Sequence, residues 1–289
     1  MIENIVINGG GPTVFNVYGA LRESCIQGLW NHNSIKDYYG TSAGAILAIM
    51  LSLSYSWEEL DDYLIKRPWH KVWQFNFMGL YEYYSNKGIF GTDLFNETLG
   101  PLLRGKDLDC TSTLLDLYNA TGKTLHLYTI ELSSFTLTEL SHITFPNMLV
   151  TEAVHASAAL PILFQPLKYN GSYYTDGGIM LNYPLCKCIH KDPDTILGIK
   201  NVYNGTNANV HSVEGIFEYL SYIMNMVIDK IQSQPTMKIK YELLVDTGFI
   251  DYSCILRLAN SANDRKALID KGAESVKLQI NESNKKIDL

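Results

Sequence analysis

The sequence predicts an α/β fold in which short buried strands alternate with helices in a layered sheet. Two β-like runs break into glycine and pass straight into helical periodicity: Ile5-Val6-Ile7 before Gly9-Gly10-Gly11, and residues 35–39 before Gly40. Helical segments recur between strand candidates along the whole length, and two hairpin signals, Ser133-Ser134 and Asn170-Gly171, add antiparallel pairs. No internal repeat, low-complexity linker or composition shift divides the chain, so residues 1–289 are expected to form one domain.

Each element has a local reason. Pro12 suits the first turn of a helix. Val14, Tyr18, Leu21, Cys25 and Leu29 then follow at helical spacing, which predicts a helix to about residue 31. The strand at 35–39 leads into an apolar helix over 42–54. Ser56 and Glu59 form a capping box that starts another. Residues 69–84 are dense in aromatics: Trp69, Trp73, Phe75, Phe77, Tyr81, Tyr83 and Tyr84. Thr92 or Asp93 caps a helix to about 103, and a helix over 111–121 ends at Gly122. Strands at 123–132 and 135–141 form the first hairpin, a helix over 149–158 stops before Pro161, and 167–169 with 172–175 form the second hairpin. A strand at 195–200, a long helix over 213–232, strands at 241–246 and 255–258, and a closing helix over 262–280 complete the pattern.

Composition narrows the function. Hydrophobic residues make up 46% and charged residues 18%, which is globular and not disordered. Lys and Arg number 23 against 30 Asp and Glu, a net charge of −7 with no long basic run. A nucleic-acid partner is therefore not expected, nor is a polybasic membrane anchor. The five cysteines (Cys25, Cys110, Cys186, Cys188 and Cys254) are odd in number and scattered, so neither a disulfide framework nor a metal knuckle is expected. The opening Met1-Ile2-Glu3-Asn4 carries an acid where a secretory leader has a basic region, and the longest apolar run is too short to span a bilayer. A cytoplasmic location is expected, with peripheral contact to membranes.

The sharpest chemical signal is Gly40-Thr41-Ser42-Ala43-Gly44, a Gly-x-Ser-x-Gly pentapeptide between a strand and a helix. A serine on such a turn exposes its hydroxyl at a helix N-terminus, and the flanking glycines let two backbones pass closely. Alone the pentapeptide is also compatible with a plain turn. Gly9-Gly10-Gly11 offers a nest of N–H groups. A phosphate loop and an oxyanion hole both use such a nest, but the spacing is not G-x-G-x-x-G and no Gly-Lys-Ser/Thr follows. Beside a serine elbow the oxyanion reading leads. None of the seven histidines stands in a late loop with small neighbours, where a serine's base is usually found. Asp176, in Asp176-Gly177-Gly178 just past the Asn170-Gly171 hairpin, is instead a carboxylate at a strand end.

These three motifs, in this order, resemble the patatin-like phospholipase family. The run from Glu152 to Pro161, followed by Phe164 and Pro166, and the closing stretch from Ala267 to Ala273 resemble it too, so the likeness covers nearly the whole chain. It implies a three-layer α/β/α sheet and hydrolysis of lipid acyl esters. Ser42 would be the nucleophile and Asp176 the base, with Gly9, Gly10 and Gly11 as the oxyanion hole, Gly40 and Gly44 flanking the elbow, and no histidine, metal or cofactor required. Asp176 is expected to be ionised at neutral pH as an ordinary aspartate is. The implied partners are a lipid or phospholipid substrate and, transiently, a membrane surface.

One feature departs from the family's pattern: no Lys or Arg occurs between Gly11 and Arg22, where members carry a basic residue in the glycine loop. A substrate less dependent on its phosphate is one consequence. The aromatic stretch has three readings: an acyl-chain pocket, a lipid-facing surface or core packing. An acyltransferase with the same two residues, a catalytically silent membrane-binding protein and a nucleotide-binding protein are the rival functions.

Overall fold

The computed structural model describes residues 1–74, 80–202, 238–247 and 254–287, with isolated positions between 219 and 230. The expected helix over 213–232 and the aromatics Phe75 and Phe77 lie outside the described residues. Strand β1 (Asn4–Ile7) runs through the glycine loop into helix α1 (Val14–Ile26), and β2 (Asp37–Thr41) turns at Ser42 into α2 (Ala43–Ser52). Helix α3 (Trp57–Lys66) starts at the Ser56–Glu59 capping box. Then follow α4 (Leu80–Asn86), β3 (Gly88–Phe90), α5 (Thr92–Arg104), α6 (Leu114–Thr121) and the hairpin β4 (Thr124–Glu131) and β5 (Thr136–Leu140). Helix α7 (Val150–Ala158), β6 (Ile162–Phe164), the hairpin β7 (Leu167–Tyr169) and β8 (Ser172–Asp176), and the single turn α8 (Gly178–Leu181) come next. Strands β9 (Ile196–Val202) and β10 (Tyr241–Asp246) and helices α9 (Cys254–Asn260) and α10 (Ala262–Ile287) complete the described chain.

The main sheet has the order β10-β9-β1-β2-β4-β8-β7, with β5 on the other edge of β4. Strands β10, β9, β1, β2 and β4 are parallel, and β5, β7 and β8 add antiparallel pairs. Side chains alternate between two cores with the period of a strand. Ile5, Ile7, Tyr38, Leu127 and Leu197 pack into the larger one, beneath α1, α2, α7 and α10. Val6, Tyr39, Tyr128 and Ile196 point the other way, where Leu185 and Cys188 of the short helix Pro184–Cys188 cover them.

Two register facts position the site. Strand β2 pairs with the first part of β4, ending at Thr41 opposite Tyr128. On the next rung of β4, Thr129 pairs with Asp176, the last residue of β8. Strands β2 and β8 therefore meet end to end along one edge of β4, and the residue after Thr41 arrives at the residue that ends β8.

Two expectations need correction. Residues 255–258 lie in the helix α9, not in a strand. A four-residue apolar run fits both patterns. Here the run extends to Asn260 and buries Leu258 and Ala259, while the Arg265 guanidinium bonds to the carbonyls of both. Helix α1 ends at Ile26, short of residue 31, because Gly28 takes a left-handed φ of +79° and the Leu29 N–H turns back to the Ser24 carbonyl.

Candidate active site

The turn from β2 to α2 holds Ser42 at φ 56° and ψ −123°, a conformation that L residues avoid. Such a backbone persists only where its surroundings over-determine it. Glycine at two positions is part of that constraint. A Cβ on Gly40 would sit 2.6 Å from the Gly44 carbonyl oxygen, and one on Gly44 would sit 2.4 Å from that of Ile7. The Ser42 N–H donates to Ser157 Oγ (3.0 Å), which in turn donates to the Tyr128 carbonyl (2.7 Å). Helix α7 thus holds the elbow against β4.

The Ser42 hydroxyl donates to Asp176 Oδ2 at 2.7 Å. Asp176 is buried, and its Oδ1 accepts the Gly178 N–H at 2.6 Å. Burial pushes its pKa up to about 6, against the smaller downward pull of those two donors. It is thus a stronger base than the ordinary aspartate expected from the sequence, and it is still mostly ionised at pH 7. A Cβ on Gly177 would lie 2.2 Å from the Tyr128 carbonyl oxygen, so the chain can leave Asp176 along this path only as glycine.

The glycine loop lies beside this pair, with Gly9 against Ser42: a Cβ on Gly9 would be 3.2 Å from Ser42 Cβ. Its three residues differ in what they offer. The Gly9 N–H is already given to the Asn182 carbonyl (2.9 Å), and the Gly9 carbonyl accepts from Nδ2 of Asn182 (3.3 Å) and of Asn201 (3.0 Å). The N–H groups of Gly10 and Gly11 have no acceptor among the described residues. Thr13 ties the loop down, accepting from Asn201 Nδ2 and donating to the Gly10 carbonyl.

His155, the histidine nearest the predicted motifs, faces elsewhere. Its Nδ1 pairs with Thr92 Oγ1 and its Nε2 with the Gln165 carbonyl, both at 2.8 Å, and its ring stacks on Phe95. Burial pushes its pKa down to about 4.

Ser42, Gly11 and Pro12 open onto a cavity of about 130 Å³, walled by Ile46, Trp69, Trp73, Phe95, Phe164 and Leu258 among others. Trp69 and Trp73 therefore belong to a pocket wall. Trp73 meets the rings of Phe90 and Phe164 at 5.1 and 6.1 Å. Arg265 also borders the cavity, but its guanidinium nitrogens bond to carbonyls at the ends of α3 and α9 and at Arg67. Arg22, the first cation after the glycine loop, is paired with Asp61 at 2.5 Å. Among the described residues no group of three or more His, Cys, Asp and Glu could hold a metal ion, and no helix is long and apolar enough to cross a membrane.

Ser157, Asn182 and Asn201 were not anticipated as parts of this site. Ser157 sits within the Glu152–Pro161 run that the sequence singles out. The two asparagines carry no local signal, since they reach the loop from 173 and 192 residues away.

Residues 5–186 match the profile of the family described as "Patatin-like phospholipase". The chain belongs to the patatin-like phospholipase family. Gly9 to Gly11, Ser42, Ser157 and Asp176 all lie inside the matched span, whereas Asn201, α9 and Arg265 lie outside it. Over 292 aligned residues the chain is 24% identical to "Uncharacterized protein R571" of Acanthamoeba polyphaga mimivirus, covering 96% of this chain and 94% of that one. It is 26% identical over 218 residues to "Probable lipid hydrolase 463L" of Invertebrate iridescent virus 6, covering 72% and 73%. Among solved structures, VipD from Legionella pneumophila superposes with a TM-score of 0.52 at 16% identity, over 94% of this chain and 67% of VipD. That likeness is one of fold: a patatin-like α/β sheet.

Proposed function

We propose that this chain is a lipid acyl hydrolase that cleaves fatty acyl esters through Ser42 and Asp176. The observation that carries the reading is the 2.7 Å hydrogen bond from the Ser42 hydroxyl to a buried carboxylate, with Ser42 lining an apolar cavity. Family membership supports the substrate class, as does the similarity to a viral protein named as a probable lipid hydrolase.

In this reading the acyl chain lies in the cavity and its ester carbonyl carbon comes to Ser42 Oγ. Asp176 Oδ2 accepts the hydroxyl proton as Oγ attacks. The carbonyl oxygen becomes an oxyanion, and the N–H groups of Gly10 and Gly11 stabilise it. Gly9 shapes the loop, its own N–H being engaged with Asn182. Collapse of the tetrahedral intermediate breaks the ester C–O bond. The proton on Asp176 passes to the leaving alkoxide, and the acyl group stays on Ser42. Water then attacks that acyl-enzyme, giving its proton to Asp176, and the fatty acid leaves as Ser42 is restored. With no free cation in the glycine loop and Arg265 spent on carbonyls, recognition rests on the acyl chain more than on a phosphate.

Hydrolysis of a panel of phospholipids, lysolipids and neutral acylglycerols, run beside Ser42→Ala, tests this. Loss of turnover on the order of a millionfold, together with loss of labelling by a fluorophosphonate probe, is expected in a variant that melts like the native chain. Labelling retained in Ser42→Ala would refute the assignment.

A further inference from the structure

A lipid hydrolase must settle on its substrate, and the structure offers a surface other than Trp69 and Trp73 for doing so. Ser42 and Asp176 lie level with Thr129 of β4. Beyond that rung β4 and β8 continue together: Glu131 pairs with Tyr174, and the Leu132 N–H bonds to the Tyr173 carbonyl. At about 3.3 Å per residue, Leu132 and Tyr173 stand roughly 10 Å past the serine, at the same end of the sheet. Both hairpin tips, the β4–β5 turn and Asn170-Gly171 between β7 and β8, project there.

Large apolar groups are exposed at this end. Phe135 is 57% exposed, Leu132 39% and Tyr173 39%. Tyr84, the exposed member of the aromatic stretch among the described residues at 85%, lies three residues before Lys87. The ammonium groups of Lys87 and Lys168 each lie 5.8 Å from the Tyr173 ring centroid, which brings the end of α4 against the second hairpin. Glu131 is the carboxylate of the first turn, where the hydroxyls of Ser133 and Ser134 bond to it.

Two of these residues keep an unfavourable backbone. Phe135 has φ 50° and Lys87 has φ 64°, a region that glycine or asparagine adopts more cheaply. An exposed aromatic or lysine held in a left-handed conformation costs more in backbone energy than glycine would at the same position. Strain of that kind points to use of the side chain.

We propose that Leu132, Phe135, Tyr173 and Tyr84, with Lys87 and Lys168, dock this protein on a phospholipid bilayer with Ser42 facing the lipid. The choice of a bilayer rests on the lipid-hydrolase reading and on the chemistry of the patch. Aromatic rings suit the headgroup boundary, lysines beside them reach phosphate oxygens, and separate protruding tips fit a soft surface. In a chain of net charge −7, two lysines here also put positive charge where an anionic headgroup needs it.

The test uses the full chain carrying Ser42→Ala, so that vesicles are not consumed, with phosphatidylcholine vesicles with and without phosphatidylserine. Co-sedimentation is expected with both, and more strongly with phosphatidylserine. Phe135→Ser combined with Tyr84→Ser is expected to cut partitioning at least tenfold. Lys87→Ser with Lys168→Ser should remove the phosphatidylserine increment, and Trp73→Ala should leave binding unchanged. Phe135→Gly should bind less while melting no lower than the parent. With Ser42 intact, the Phe135/Tyr84 variant should hydrolyse a soluble short-chain ester at the native rate and vesicular lipid at least tenfold more slowly. Native-like vesicle binding by that folded variant overturns the proposal, as does failure of the parent to bind either vesicle; the first result would fit a protein partner for the patch. Vesicle binding lost in the variant, from a parent that hydrolyses no ester, would leave the docking surface standing and refute the hydrolase reading.

Discussion

Replacing Asp176 by Asn should abolish ester hydrolysis and at the same time stabilise the protein at neutral pH. The carboxyl is buried, and its pKa lies at about 6 against an ordinary 3.8. A raised carboxyl pKa means that the folded state holds the proton more tightly than the unfolded chain does. Its contribution is therefore fully favourable below about 3.8 and is lost as the pH rises through 6. The difference of about 2.2 pH units corresponds to roughly 3 kcal/mol of stability forgone at pH 7. Asparagine removes the charge and keeps the shape. Its amide oxygen can accept the Gly178 N–H, and its NH₂ can donate to Ser42 Oγ. Asp176→Asn should therefore unfold with a free energy up to about 3 kcal/mol above native at pH 7. The gap should shrink as the pH falls from 6 to 4 and be nearly closed below that. Urea unfolding of both proteins at half-unit pH steps measures it, and kcat/KM of the native chain should rise with pH through an apparent pKa of about 6. An Asn variant no more stable than native at pH 7, or a gap that does not depend on pH, would refute the reasoning.

Two further outcomes follow from the same neighbourhood. Ser157→Ala leaves the Ser42 N–H and the Tyr128 carbonyl without their shared partner, so urea unfolding should show a loss of about 1–3 kcal/mol, and steady-state kinetics should show kcat falling more than KM changes; native kcat would mean that the elbow holds itself. His155→Gln should keep activity within about tenfold, well below what loss of a general base costs, and it should alter acid stability. The buried imidazole titrates at about 4, so the native fold loses stability as the pH drops from 6.5 through 4, a window worth roughly 3 kcal/mol that the Gln variant should not show in urea unfolding.

The elbow could be read from residues because sterics dictate it: Gly40 and Gly44 stand where a Cβ would run into the Gly44 and Ile7 carbonyls, and the strand and helix around them each have their own period. The hairpins were equally local, with Asn170 at φ 47° and Gly171 at φ 85° in the turn their sequence suggests. What could not be read is whatever depends on distant partners. The Gly9 N–H is engaged by a carbonyl 173 residues downstream, so three glycines that look alike in sequence are not equivalent in the loop. Tryptophans look the same in a pocket, a core or a membrane face, and only the packing of Trp73 on Phe90 and Phe164 separates those readings. Residues 255–258 failed for want of length: four apolar residues are one turn of helix or a short strand, and the cap supplied by Arg265 is a tertiary fact.

The meeting of Ser42 and Asp176 shows how strongly such a site depends on register. Neither residue's own motif brings the other near, since 134 residues separate them. Strand β4 does so by pairing with the end of β2 at Tyr128 and with the end of β8 at Thr129. A one-residue slip of β8 would turn its side chains to the opposite face and carry the carboxylate away from the serine. Several bonds hold that register: Thr175 Oγ1 and the Asp176 N–H both reach the Ala159 carbonyl, Thr129 Oγ1 bridges the carbonyls of Ala156 and Thr175, and Gly177 passes tightly over Tyr128. The bonds to Ala156 and Ala159 converge on the end of α7 and the residue just after it, the same stretch whose Ser157 holds the Ser42 backbone. The run from Glu152 to Pro161 is therefore the joint that fixes Ser42 and Asp176 relative to each other, and this is a physical reason for its sequence to be as particular as the two motifs it connects.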